Sequence, residues 1–168
     1  MSLKYLPEHA PAVRLALDLA RKKAKHLRYS QTTLFALRID LDWVQNLSHQ
    51  PEVAEKVEAF VSRFGRLQDH LGEKLLPCMA ALVGENSKTL LDALAIAEKT
   101  DLLVSAEAAA SKLPNALVHE YLHDAQTFLE SLFAAQHACQ MFFDIIEKAQ
   151  TQTVRLGVMQ TSNGNSGN

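Results

Sequence analysis

The stretch "AQTFLESLFAAQHACQMFFDIIEK", residues 125–148, decides the class of the fold. Phe128, Leu132, Ala135, Cys139, Phe142 and Ile146 recur in it at intervals of 4, 3, 4, 3 and 4, the period of a helix that buries one seam. A half-buried strand would alternate at every second residue, and this run does not. Asp124, just ahead of it, has the short acceptor side chain that caps a helix N-terminus.

The same period extends outward from this seam. A first helix is predicted from about Pro11, a favoured first-turn residue, to near Tyr29, and a second carries Leu34, Leu37, Leu41 and Val44. "SHQPE" at 48–52 breaks the pattern. A third helix aligns Val57, Val61, Phe64, Leu67, Leu71 and Leu75 until Pro77, which lacks a donor and is expected to kink or interrupt it. After the loop "GENSK" at 84–88, a short helix is predicted through Leu90, Leu91, Leu94 and Ala97, and another from near Ser105 through "AEAAASKL". The expected fold is all-α: an up-and-down bundle of about five principal helices, forming a single domain over 1–155. The tail over 156–168 is expected to be disordered, because "TSNGNSGN" has no apolar residue to bury.

With 168 residues and 48% hydrophobic content, the chain can bury the core of one folded domain. A formal charge of −2 gives no global signature of nucleic-acid binding, so such contact would need a local patch. The densest one is "RKKAKHLR", residues 21–28, read as a solvated helix face. Cys78 and Cys139 are far apart in sequence and are read as buried reduced thiols. The start "MSLKYLPEHAPAVR" has no apolar core of a signal peptide, and no uncharged apolar run reaches membrane-spanning length. These features predict a cytoplasmic protein with no membrane partner.

"LVHEYLH", residues 117–123, holds two overlapping patterns. His119, Glu120 and His123 fit the H-E-x-x-H of zinc peptidases, with Glu147 as a third-ligand candidate. Three features weigh against that reading. No sheet edge is predicted to hold a peptide substrate, Glu147 falls on the apolar seam, and a cap at Asp124 puts His123 out of register with His119. The second pattern begins earlier, in "PNALVHEY" from Pro114 to Tyr121, where Asn115, His119 and Tyr121 follow one another as Asn-x-x-x-His-x-Tyr.

In this helical setting the segment resembles the motif of the HEPN superfamily, in particular the HepT-like toxins paired with a minimal nucleotidyltransferase antitoxin. Their motif is Arg-Asn-x-x-x-His-x-Tyr, and the likeness in helix order covers about residues 55–150. "RFGRLQDHLGEKLLP", residues 63–77, is similar to the long helix that precedes the motif in that family. The family arginine is replaced here by Pro114. The resemblance implies a homodimer with the segment lining a shared cleft, RNA or a nucleotide as ligand, and metal-independent RNA cleavage without a cofactor. It casts His119 as the proton-transfer residue and Tyr121 as the acceptor of adenylyl groups from the partner. Asn115 either binds phosphate or ribose or caps the backbone.

Cleavage through a 2′-hydroxyl requires two proton transfers and charge stabilisation on a phosphorane. Imidazole performs the first two, and a guanidinium fork supplies the third. Proline supplies no charge, a loss of about 10²–10³ in rate by analogy with oxyanion-hole deletions. Lys112, Arg63 and Arg66 are the candidate phosphate-binding replacements, each with a plain alternative as a solvated helix residue. The expected function is a HEPN toxin-like protein with weakened or absent cleavage. The alternative is a non-catalytic nucleotide-binding or substrate-recognition subunit of a nucleotidyltransferase.

Overall fold

Pro11 lies in the first turn of α1 (Ala10–Phe35), where a missing amide donor removes no helical bond. This helix continues past Tyr29, its expected end, and takes in Leu34, which the sequence reading places in a second helix. The two threonines before Leu34 are accommodated in it. Thr32 Oγ1 donates to the Arg28 carbonyl at 2.9 Å and Thr33 Oγ1 to that of Tyr29 at 3.0 Å, so these hydroxyls bond back along the helix without breaking it. Leu34 is buried one step later. The second helix is therefore only α2 (Leu41–Gln45), started by Asp40, whose side chain accepts from the Trp43 N–H.

The computed structural model describes residues 4–113 and 124–159. After α2 the chain forms α3 (Pro51–His70), a π segment (Leu71–Leu75) and α4 (Leu76–Leu82) without an intervening turn. Pro77 does not interrupt this rod. The Leu76 N–H donates five residues back to Leu71, and this widened turn stands immediately ahead of the proline, where an ordinary turn would bring its ring against a carbonyl. Thr89 starts α5 (Leu90–Lys99) with a reciprocal capping box to Asp92, and Ser105 caps α6 (Ala106–Lys112).

Asp124 caps α7 (Ala125–Leu156), as its side chain suggested, accepting from the Gln126 N–H at 3.0 Å. Gly157 ends the helix at φ 82°, in the left-handed region that glycine adopts freely. Val158 beyond it is buried, so the packed unit reaches past residue 155. The polar tail over 161–168 lies outside the described residues. Among the described residues all regular structure is helical.

Helix α1 is flanked by α3 and α7. Arg14 donates to the Val158 carbonyl at one end of α1 and Gln31 to that of Gln136 at the other, so α1 and α7 run antiparallel. Arg63 reaching Ser30, and His70 reaching the Ala16 carbonyl, set α3 antiparallel to α1 in the same way. Aromatic side chains join the three. Phe35 meets Phe60 edge-on at 5.2 Å between centroids, and Phe64 lies 5.1 Å from Phe142. Phe60, Phe64, Leu132 and Cys139 are fully enclosed. Each such large apolar side chain contributes about 1.5–3 kcal/mol through burial. The smaller α5 and α6 pack on each other and against α4 and α7 respectively.

Candidate functional site

The segment carrying Asn115, His119 and Tyr121 connects α6 to α7 and, with Pro114, Glu120 and His123, lies outside the described residues. Its two anchors are described. Leu113 is half-buried against the core at the end of α6, and Asp124 has the extended backbone of a cap, φ −148°, at the start of α7. The described α7 begins at Ala125, one residue after its Asp124 cap. Glu147, the third-ligand candidate of the zinc reading, is exposed, whereas its neighbour Ile146 is buried. Among the described residues no three His, Cys, Asp or Glu side chains are grouped to hold a metal ion.

The three candidate replacements for the arginine stand in different settings. Lys112, at the end of α6, lines a cavity of about 320 Å³ with Ala108, His137, Gln140, Asp144 and Lys148. It is exposed and close in sequence to the motif. Arg63 is engaged elsewhere: its guanidinium donates to Ser30 Oγ at 2.6 Å and to the His26 carbonyl at 3.3 Å, joining α3 to α1. Arg66, one turn on, is exposed. Neither arginine lines the Lys112 cavity. His70 of α3 is buried with its Nε2 2.7 Å from the Ala16 carbonyl oxygen.

The basic stretch 21–28, read as a plain solvated face, borders a larger groove of about 670 Å³ between α1 and α7. Arg21, Lys25 and Arg28 line its α1 bank at the i, i+4 and i+7 positions of one stripe, with Tyr29 beside them. Gln140, Asp144, Glu147 and Gln150 line the α7 bank, and Ala24, Phe143 and Ile146 form the floor. The Arg28 guanidinium carbon lies 4.1 Å from the centre of the Phe143 ring, a cation–π contact that holds the charge over the floor. Gln140 donates to Asp144 Oδ1 at 2.9 Å. Among the described residues no ion pair ties Arg21, Lys25 or Arg28 to a carboxylate, whereas Lys22 pairs with Asp18 at 3.1 Å.

Behind this groove Cys139 is fully buried and its thiol is pushed up to about 12 by desolvation, with the nearby Arg28 charge opposing the shift. Cys78 is half-buried, less enclosed than expected, and its thiol is also raised by burial. Both are neutral thiols at physiological pH. The groove eluded sequence reading because its two banks are remote in the chain. The one available signal was the spacing of cations within residues 21–28.

Comparison with family models, with curated proteins and with solved structures finds no match to this chain.

Proposed function

We propose that this protein is a HEPN toxin-like protein that acts on or binds RNA or nucleotides, works as a homodimer in the cytoplasm and is paired with a minimal nucleotidyltransferase antitoxin. Its metal-independent endoribonuclease activity is weakened or absent. The observation that carries this reading is the Asn115, His119, Tyr121 spacing in the connection between a short helix and a long last helix. The helical architecture of the described residues supports it: the long α3–α4 rod, the short α5 and α6, and the 32-residue α7 follow in the order the resemblance implies. His119 is assigned proton transfer, Asn115 contact with phosphate or ribose, and Tyr121 the receipt of an adenylyl group, whose negative phosphate would shield the cleft from RNA.

Pro114 is the specific observation that favours the second reading, a non-catalytic nucleotide-binding or recognition subunit, because proline offers the phosphate neither charge nor donor. Arg63 is an unfavourable replacement, since its guanidinium is already bonded into the α1–α3 interface. Lys112 is better situated in sequence and exposure, as a point charge. One experiment separates these readings. Pro114→Arg restores the fork, and RNA cleavage or toxicity on expression is expected to rise about 10²-fold or more over wild type. His119→Ala in that background is expected to abolish the gain. Equal cleavage by wild type and Pro114→Arg, both indifferent to His119→Ala, would remove the ribonuclease assignment.

A further inference from the structure

The α1–α7 groove has two unlike banks. Along α1 a row of cations, Arg21, Lys25 and Arg28, extends to Thr32 and Thr33, covering about 18 Å at 1.5 Å rise per residue. Along α7 the facing row is carboxylate and amide: Gln140, Asp144, Glu147 and Gln150. Because the helices are antiparallel, Arg28 sits over Phe143 next to Asp144, and Lys25, one turn earlier, stands level with the following turn of α7 at Glu147. The groove thus takes an anion on one side and hydrogen-bond donors on the other.

These features select a ligand class. A bare polyanion would satisfy α1 but be repelled by Asp144 and Glu147. An amphipathic peptide helix, or a second copy of the chain, needs a wide apolar floor, and here Phe143 and Ile146 are each only 6% exposed. A phosphorylated nucleoside has both required edges: phosphate oxygens on one side and, on bases with an exocyclic amine, N–H donors on the other. Its planar ring also has a platform, since Tyr29 is 67% exposed beside the groove. We propose that the α1–α7 groove binds phosphorylated nucleosides with amino-bearing bases, the phosphate on Arg21, Lys25 and Arg28 and the amine on Asp144 and Glu147.

The ligand is either a free nucleotide or a single strand of RNA, and this assignment rests on the nucleic-acid reading above while using none of its motif residues. Gln140 and Asp144 also line the cavity containing Lys112, so the groove adjoins the end of α6 from which the motif segment departs.

The test is binding by the full chain of labelled oligo(A), oligo(C) and oligo(U) of about ten nucleotides, with adenosine and uridine monophosphates as competitors, between about 50 and 200 mM salt. Oligo(A) and oligo(C) are expected to bind about tenfold tighter than oligo(U), with a log–log salt slope near about −2 for three phosphate contacts. Lys25→Glu with Arg21→Glu is expected to weaken every strand more than about tenfold, and Tyr29→Ala by about tenfold. Asp144→Asn with Glu147→Gln is expected to erase the base preference by improving oligo(U). These positions are exposed helix residues, so unchanged melting temperatures are expected to accompany the losses.

Competition by adenosine monophosphate as effective as by oligo(A) assigns a free nucleotide, and competition by strands alone assigns RNA. Absence of saturable binding at low salt overturns the proposal, as does binding indifferent to the α1 charge reversals. A change of sedimentation in Lys25→Glu, restored by Glu147→Lys in the same chain, overturns it in favour of contact between copies. Cleavage by Pro114→Arg without groove binding would sink this proposal alone, and groove binding by a Pro114→Arg chain that shows no His119-dependent cleavage would sink the ribonuclease reading alone.

Discussion

At Asp124 one carboxylate holds the first turn of α7 through both oxygens, accepting from the Thr127 hydroxyl at 2.6 Å and from the Gln126 N–H at 3.0 Å. Those bonds, that from the Thr127 side chain foremost, keep its pKa below the ordinary 3.8. A depressed carboxylate contributes stability above its unfolded pKa and loses it as pH falls through the folded value. Asp124→Ala is therefore expected to lower the melting temperature at neutral pH, with the gap to wild type closing below pH 3.8. Asp124→Asn, which still caps, is expected to melt close to wild type at neutral pH. A gap that acid does not change would refute the assignment. Thiol chemistry gives a second check at the residue scale. At about pH 8, Cys78 is expected to react with a thiol reagent in the native protein and Cys139 only on unfolding, because Cys139 is enclosed and its thiolate suppressed. Native Cys78→Ala would then show no fast-reacting thiol.

Between elements, the bond from Arg63 to the buried Ser30 hydroxyl ties α3 to α1. A double-mutant cycle on Ser30→Ala and Arg63→Ala is expected to return a coupling of about 1–2 kcal/mol in chemical denaturation, as for a part-buried hydrogen bond to a charged group. Arg66→Ala on the exposed face is expected to change stability by less than about 0.5 kcal/mol. If Arg63 served phosphate and not packing, its loss would lower RNA affinity and leave the denaturation midpoint unchanged. The element boundaries also show how side chains alter a sequence reading. Burial of Leu34 and the contact of Phe35 with Phe60 carry α1 past Thr32 and Thr33, whose hydroxyls bond back along the helix. The π turn before Pro77 likewise converts an expected break into a continuous rod.

For the whole molecule, the proposed shared cleft predicts a dimer at micromolar concentration in sedimentation or light scattering. A stable monomer there would remove the second copy that paired acid–base chemistry uses. The zinc reading is separated by metal analysis. Protein purified without chelator is expected to contain well under one zinc per chain, and one equivalent lost on His119→Ala would restore the peptidase assignment.

Helical class, the seam from Phe128 to Ile146, the cap at Asp124 and the start of α6 at Ser105 were legible in the sequence, because helical period and capping are set by residues within one or two turns. The Asn115, His119 and Tyr121 spacing is also local, and it lies outside the described residues. The length of α1 was not legible, because Leu34 and Phe35 extend it by burying against residues remote in sequence. Nor was the groove. Residues 21–28 read as a solvated helix face and 140–150 as part of the apolar seam, and only the antiparallel packing of α1 on α7 sets a cationic row opposite a carboxylate row. Local sequence determined which helices form, since their bonds close within four residues. Tertiary packing decided which charges face each other, since that depends on contacts between segments more than a hundred residues apart.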